Sequence, residues 1–236
     1  MPIQEALESL RSGKPVLVFD SKDREGETDI VFASQFITPN AIRLMRKDGG
    51  GLICVTMPNK VADILGLDYL IKIYERSRMP FVKRLYPNDI PYGEQSSFSI
   101  TINHRKTFTG IPDADRALTI SKFAEIVEHA LSSNSEYKKA QVVSEFGSNF
   151  RTPGHVFTLI ASKGLISKRK GHTELTTYLA YLAGLIPSTT IVEMLGDDGK
   201  SLRKSKAREY AKKKEFVFLE GKDIIKKFLS EPSPNI

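Results

Sequence analysis

Polar and apolar positions along this chain alternate between two periods. Branched and aromatic residues recur at strand spacing over 16–19, 29–33, 52–56, 98–102, 156–160, 190–194 and 216–219. Helical spacing covers 2–11, 39–47, 60–65, 121–132, 173–185, 202–213 and 224–229. Strands that take turns with helices in this way predict an α/β (α+β) fold, a layered sandwich with a mixed sheet flanked by helices. The 236 residues are 40% hydrophobic and no proline-rich or serine-rich linker divides them, so a single domain over 1–236 is expected.

Charge breaks this pattern first at Asp23-Arg24-Glu25-Gly26-Glu27-Thr28-Asp29, between two apolar runs. An extended backbone sends alternate side chains to one face, which would bring Glu25, Glu27 and Asp29 together. Three converging carboxylates make a hard-cation site or an acid/base cluster; a solvated acidic loop is the plainer alternative. A second break is Lys168-Arg169-Lys170-Gly171-His172-Thr173-Glu174, ahead of Leu175, Leu179, Leu182 and Leu185. A helix is expected to start near His172, where unpaired N–H groups and the positive end of the helix dipole face outward. Arg169, Gly171 and Thr173 beside that end supply a guanidinium fork, close backbone approach and a hydroxyl, the parts of a phosphate cradle. A basic, exposed turn before a capped helix would read the same way.

His172 at the helix start suits a divalent ion that also takes oxygen ligands. Zinc is not expected, because His104, His129, His155 and His172 form no H-x-x-x-H pattern and Cys54 is the only cysteine. Pro153-Gly154 is read as a turn that holds His155 before a strand, either as a proton carrier or as a turn residue bonded to backbone. Glu193 interrupts an apolar strand and is either the solvent face of an edge strand or a catalytic acid.

The acidic loop 23–29, Pro153-Gly154-His155-Val156-Phe157, Arg169-Lys170-Gly171-His172-Thr173-Glu174 and Leu182-Ala183-Gly184-Leu185 together resemble 3,4-dihydroxy-2-butanone 4-phosphate synthase of riboflavin biosynthesis. Weaker similarity at 51–55, at Thr109-Gly110 and at 113–116 extends the resemblance over roughly 3–228, with the motifs in family order. It implies a magnesium-dependent lyase, manganese being possible, that converts D-ribulose 5-phosphate to L-3,4-dihydroxy-2-butanone 4-phosphate and formate through a chelated enediolate and a skeletal rearrangement. Carried over by position, Glu25 and His172 are metal ligands, and Arg24, Glu25 and Asp29 contact substrate. Arg169, Lys170, Gly171, His172 and Thr173 bind its phosphate. His155 and Glu193 move protons, and Glu193 also contacts substrate. Glu27 and Asp29 join them as acid/base groups, and Cys54 and Thr109 form site walls. Such chemistry needs several proton transfers at neighbouring carbons, and a cluster of Glu27, Asp29, Glu193 and His155 about one ion would serve.

The resemblance also implies a homodimer with shared active sites. Two departures stand out: Thr152 is inserted where the turn commonly reads Arg-Pro-Gly-His, and Lys170 replaces a common glycine. The stretch 67–92, with Arg76, Arg78, Lys83 and Arg84, matches nothing assigned and is left as surface, interface or lid. Net charge is +7, and +6 of it falls in 200–236, with Lys204, Arg208 and Lys212 at helical spacing and no interleaved aromatics. A solvated helix face accounts for that charge, with a basic RNA-binding module as the rival reading and, among enzymes, another metal-dependent sugar-phosphate isomerase or aldolase that would yield no formate. No apolar run approaches the roughly 20 residues of a membrane span. The start of the chain lacks a signal-peptide layout and the lone cysteine permits no internal disulfide, so a cytoplasmic location is expected.

Overall fold

The computed structural model describes residues 2–77, 79–85, 89–90, 92–231 and 236. The strands are β1 (Val16–Phe19), β2 (Thr28–Ala33), β3 (Cys54–Met57), β4 (Phe98–His104), β5 (Phe150–Ile160), β6 (Thr189–Glu193) and β7 (Val217–Glu220). They form one sheet in the order β4-β5-β3-β6-β2-β1-β7. β3 and β5 run parallel, as do β1 and β7, while the remaining neighbours are antiparallel, so the sheet is mixed.

Alternation along the strands sorts side chains onto two helical layers. Leu17, Ile30, Phe32, Val55, Met57 and Val192 face one core, which α2 (Pro39–Leu44), α3 (Asn59–Leu65), α5 (Asp113–Ser132), α6 (Glu136–Asn149) and α8 (Lys204–Lys214) cover. Val16, Val18, Val31, Cys54, Ile191 and Leu219 face the other, covered by α1 (Pro2–Arg11), α7 (His172–Leu182) and α9 (Gly221–Leu229). Both faces of β1 and β2 are therefore buried, which is why their sequences read as nearly unbroken apolar runs. Among the described residues no helix is long and apolar enough to cross a membrane.

α7 is buried on every side, from His172 to Ala180. Its contact with the sheet is partly polar. Thr176 Oγ1 donates to the His172 carbonyl and lies 2.7 Å from Thr189 Oγ1; Thr177 Oγ1 donates to Thr56 Oγ1 at 3.0 Å, and Thr56 and Thr189 meet at 3.0 Å. This hydroxyl chain, which runs from Thr177 through Thr56, Thr189 and Thr176 to the His172 carbonyl, satisfies groups that would each cost about 1–3 kcal/mol if buried unpaired.

Several expectations change. α5 starts at Asp113, two turns before 121, and α6 and α4 (Leu70–Arg76) were not anticipated. α6 buries only Val142, so its apolar period is faint, and its N-cap Ser135, which accepts from Lys138 N, belongs to a stretch that reads as a loop. The segment 67–92 holds α4 and a 3-10 turn, Pro80–Leu85; Arg78 and the Lys83 side chain lie outside the described residues. Pro153-Gly154 is not a turn but part of β5: Ile102 pairs with Val156 while Asn103 pairs with Arg151, so residues 152–155 bulge out of the β4–β5 ladder. Gly154 is required there, because a Cβ would lie 1.9 Å from the Ile102 carbonyl carbon. The basic face of α8 is partly paired within the chain, Lys204 and Arg208 both reaching Glu220.

Candidate active site

The acidic loop is not extended. It curls around Asp20, whose buried carboxylate accepts from Arg24 Nη1 (3.1 Å), Glu25 N (3.1 Å) and Glu27 N (3.0 Å). Gly26, at φ +69°, makes the reversal that a residue with a Cβ enters at a cost. The loop thus projects Arg24 and Glu25 side by side, 2.8 Å apart, toward the N-terminus of α7.

There His172 is fixed in one orientation. Its Nε2–H donates to the Val18 carbonyl at 3.1 Å, which leaves Nδ1 facing Glu25 Oε2 at 3.4 Å. A backbone acceptor on one ring nitrogen and a carboxylate opposite the other is how metal-bound imidazoles are held. Cis donors about 3 Å apart suit an octahedral magnesium ion with bonds near 2.1 Å, so Glu25 and His172 fit such an ion. Asp20 also offers an oxygen within 4.8 Å of theirs, but its oxygens are spent on the loop. Without an ion, burial opposes a charged imidazole, yet Asp29 and Glu25 outweigh it and raise the His172 pKa. Glu25 is the reverse: His172 and Arg24 overcome its burial and hold it far below the ordinary carboxylate range.

Sheet register explains the acids beyond. Asp29 of β2 pairs directly with Glu193 of β6, two strands that lie inside the sheet, so Glu193 is not on an edge. Burial pushes the Asp29 pKa up, and its Oδ1 is buried with no hydrogen bond among the described residues. Glu27, which accepts from Ser201 Oγ, is also raised by burial. Glu193 Oε2 accepts from Leu52 N at 2.7 Å, and Gly51 leaves it room: a Cβ there would come within 2.3 Å. Cys54 forms part of the wall, its thiol pushed up by burial.

Beside Glu25 and His172 is an anion cradle. Gly171 caps α7, and a Cβ on it would lie 2.2 Å from Arg169 Nη1 and 2.6 Å from Arg24 Nη2. Arg169 is anchored by Glu174, which also accepts from Ser162 N, and Arg24 stacks over the Tyr92 ring, whose hydroxyl donates to Glu25 Oε1. Glu94 Oε2 lies 2.8 Å from Arg24 Nε and 3.2 Å from Arg169 Nε. Arg24, Glu25, Asp29, Cys54, Arg169, His172, Thr173 and Glu193 all line one cavity of about 290 Å³.

Five anticipated residues do not line that cavity within one chain: Gly171, which caps the adjoining helix, Glu27, Thr109, His155 and Lys170. His155 is exposed on the β5 bulge; its N–H donates to Asn103 Oδ1, and its Nδ1 accepts from Asn103 Nδ2, which places the proton of the neutral ring on Nε2. The same amide donates to the Thr109 carbonyl, so Asn103 joins His155 and Thr109 into a second constellation beside fully exposed Phe108. The four-residue cluster of Glu27, Asp29, Glu193 and His155 is therefore not assembled by a single chain. Lys170 is exposed and does not line the cavity, a departure from its expected phosphate contact. Arg151 turns to Thr107 instead. Sequence reasoning missed Asp20, Tyr92, Glu94 and Asn103. Asp20 lies three residues outside the charged window, and the others carry no pattern that links them to the site.

A family model described as 3,4-dihydroxy-2-butanone 4-phosphate synthase matches residues 4–227. The protein of that name from Methanothermobacter thermautotrophicus is 44% identical over 230 residues, covering 96% of each chain. Among solved structures, 3,4-dihydroxy-2-butanone 4-phosphate synthase of Candida albicans is similar with a TM-score of 0.72 at 28% identity, covering 98% of both chains. Another structure of that name, in complex with two magnesium ions, is alike in fold, with a TM-score of 0.73 at 24% identity over 97% of this chain and 96% of its own. Sequence, fold and the order of motifs agree, and the chain belongs to the 3,4-dihydroxy-2-butanone 4-phosphate synthase family, which acts in riboflavin biosynthesis.

Proposed function

We propose that this chain is a magnesium-dependent carbon–carbon lyase that converts D-ribulose 5-phosphate to L-3,4-dihydroxy-2-butanone 4-phosphate and formate. The observation that carries this reading is a cavity in which a His172 Nδ1–Glu25 pair at 3.4 Å stands directly beside an arginine-lined helix N-terminus. Those two neighbouring features match a substrate that carries a hydroxyketone for the ion and a phosphate for the arginines. A divalent ion held by Glu25 and His172, magnesium or manganese, would polarise the ketone and ease proton loss beside it. Arg169, the Gly171 backbone and Thr173 bind and orient the phosphate.

Proton transfers fall to the acids. Asp29 and Glu27, raised by burial, hold protons at pH values where an ordinary carboxylate has lost them, whereas Glu193 is anchored by Leu52 N where it faces the bound sugar. In a homodimer, His155 and Thr109 of one subunit complete the cavity of its neighbour, with Asn103 holding the imidazole so that Nε2 faces outward. The enzyme works in the cytoplasm, without nucleic acid or membrane as a partner.

The test is formate release from D-ribulose 5-phosphate by the purified protein, with magnesium and then with excess chelator. Formate formed in step with a four-carbon phosphate, and abolished by chelation, supports the lyase. Pentose phosphate isomers without formate would replace it with an isomerase, and a protein that is monomeric at full activity would remove the shared site.

A further inference from the structure

Arg24 and Arg169 are buried cations whose carboxylate partners differ in kind. The Asp20 and Glu174 side chains are completely buried and belong to the loop and helix that build the cradle. Glu94 comes from a separate segment and its side chain keeps 26% exposure. A single oxygen, Oε2, sits between the two guanidinium groups, 2.8 Å from one and 3.2 Å from the other. Arg24 is only 6% exposed, yet its Nη2, the atom nearest the Gly171 cap, makes no hydrogen bond among the described residues. A buried guanidinium nitrogen left unpaired beside a helix N-terminus is a donor set built for an anion with more oxygens than Glu94 delivers.

We infer that Glu94 is an internal competitor for the phosphate seat: its carboxylate occupies the place between Arg24 and Arg169 that the substrate phosphate takes, and it leaves when that phosphate binds. This rests on the phosphate end assigned above. A carboxylate brings one charge and two oxygens. A phosphate ester brings about −1.5 to −2 and three acceptor oxygens, so it alone can also engage Nη2 and the helix N–H groups. Because Glu94 is tethered, it acts at an effective concentration in the millimolar range, which a singly charged free anion must exceed to displace it. Glu94 thereby weakens every anion by one common factor: the ratio between phosphate and carboxylate is left to the donors each can engage, and Glu94 sets the affinity threshold that a dianion passes.

The decisive measurement is the Kd of inorganic phosphate, by isothermal titration calorimetry on the intact magnesium-loaded protein, at fixed ionic strength. Glu94→Gln and Glu94→Ala are expected to bind phosphate about tenfold more tightly than the wild type, since a charge-assisted hydrogen bond no longer has to be broken. Glu75→Gln, which loses only an exposed contact to Lys72, should leave Kd unchanged. Weaker or unaltered phosphate binding in both Glu94 variants would overturn the inference and make Glu94 a clamp that merely orients the arginines. Formate release measured on the same samples separates the two readings. A wild type that releases no formate removes the lyase while the sign of the Kd change still reports on Glu94; formate with an unchanged Kd removes the competitor alone.

Discussion

A single methyl group at position 171 separates the cradle from the fold. Gly171 sits at φ −83° and ψ 170°, a conformation open to any residue, so Gly171→Ala meets no backbone strain. Restricting the unfolded chain stabilises by about 0.4–1 kcal/mol, and the poorer N-cap offsets it by a similar amount. Net stability should stay within about 1 kcal/mol of the wild type. The obstacle is the arginines: the new Cβ would lie 2.2 Å from Arg169 Nη1, 2.7 Å from Arg169 Cζ and 2.6 Å from Arg24 Nη2, where ordinary contact begins at 3.4 Å. Both guanidinium groups must withdraw by roughly 1 Å, and a misplacement of that size costs on the order of 100-fold in rate. That is close to 2.7 kcal/mol of transition-state stabilisation, by the usual ~1.36 kcal/mol per factor of ten. The assay is kcat/KM for formate release, with urea unfolding of the same preparation. A kcat/KM within about threefold of the wild type would refute the close-packed cradle, as would a stability loss above about 3 kcal/mol, since backbone and cap effects together allow far less.

Magnesium should raise the melting temperature of the wild type but not of Glu25→Ala or His172→Ala, because binding only to the folded state stabilises it by mass action; an equal shift in all three would move the ion elsewhere. Gly154→Ala forces a Cβ to 1.9 Å from the Ile102 carbonyl carbon and 2.3 Å from Asn103 N, backbone atoms that cannot swing aside. It should destabilise by about 3 kcal/mol or more in urea unfolding, and a loss below about 1 kcal/mol would mean the bulge is looser than described. Burial opposes ionisation of Glu220, but Lys204 and Lys222 outweigh it and bring its pKa from 4.5 down to about 2. A depressed carboxylate stabilises the fold above its unfolded pKa and loses that contribution as pH falls through the folded one. The stability gap between wild type and Glu220→Gln should therefore shrink as pH drops from about 4.5 to about 2, and a gap independent of pH would contradict the pairing.

Strands were legible where both faces are covered, because β1 and β2 carry apolar residues at every other position or better and no helix of that length would. α7 was legible from its start at His172 for the same reason a chemist notices it: glycine, histidine, threonine and glutamate mark a helix end with backbone donors exposed. The bulge at 152–155 was not, since Pro-Gly serves turns and bulges alike and only the partner strand decides between them. Nor was the cage around Asp20, because a carboxylate that folds a loop looks in sequence like one that binds an ion. Charge density pointed to the correct segment and misjudged its geometry. Asn103 and Glu94 act through space on residues 52 and 75 positions away, a distance over which local pattern carries nothing.

The hydroxyl chain beneath α7 has a mechanical meaning. Apolar contacts let a helix turn or slide by fractions of an ångström at little cost, whereas the bonds that Thr176 accepts from Thr189 and Thr177 donates to Thr56 are directional and act as a detent. The anion cap at Gly171 and the imidazole of His172 are adjacent residues at one end of that locked rod. Their spacing is therefore a fixed gauge set by covalent geometry and the sheet below, and any accommodation to a changing ligand must come from the facing wall, the Asp20 loop and the Tyr92–Glu94 segment, rather than from the helix that reads it.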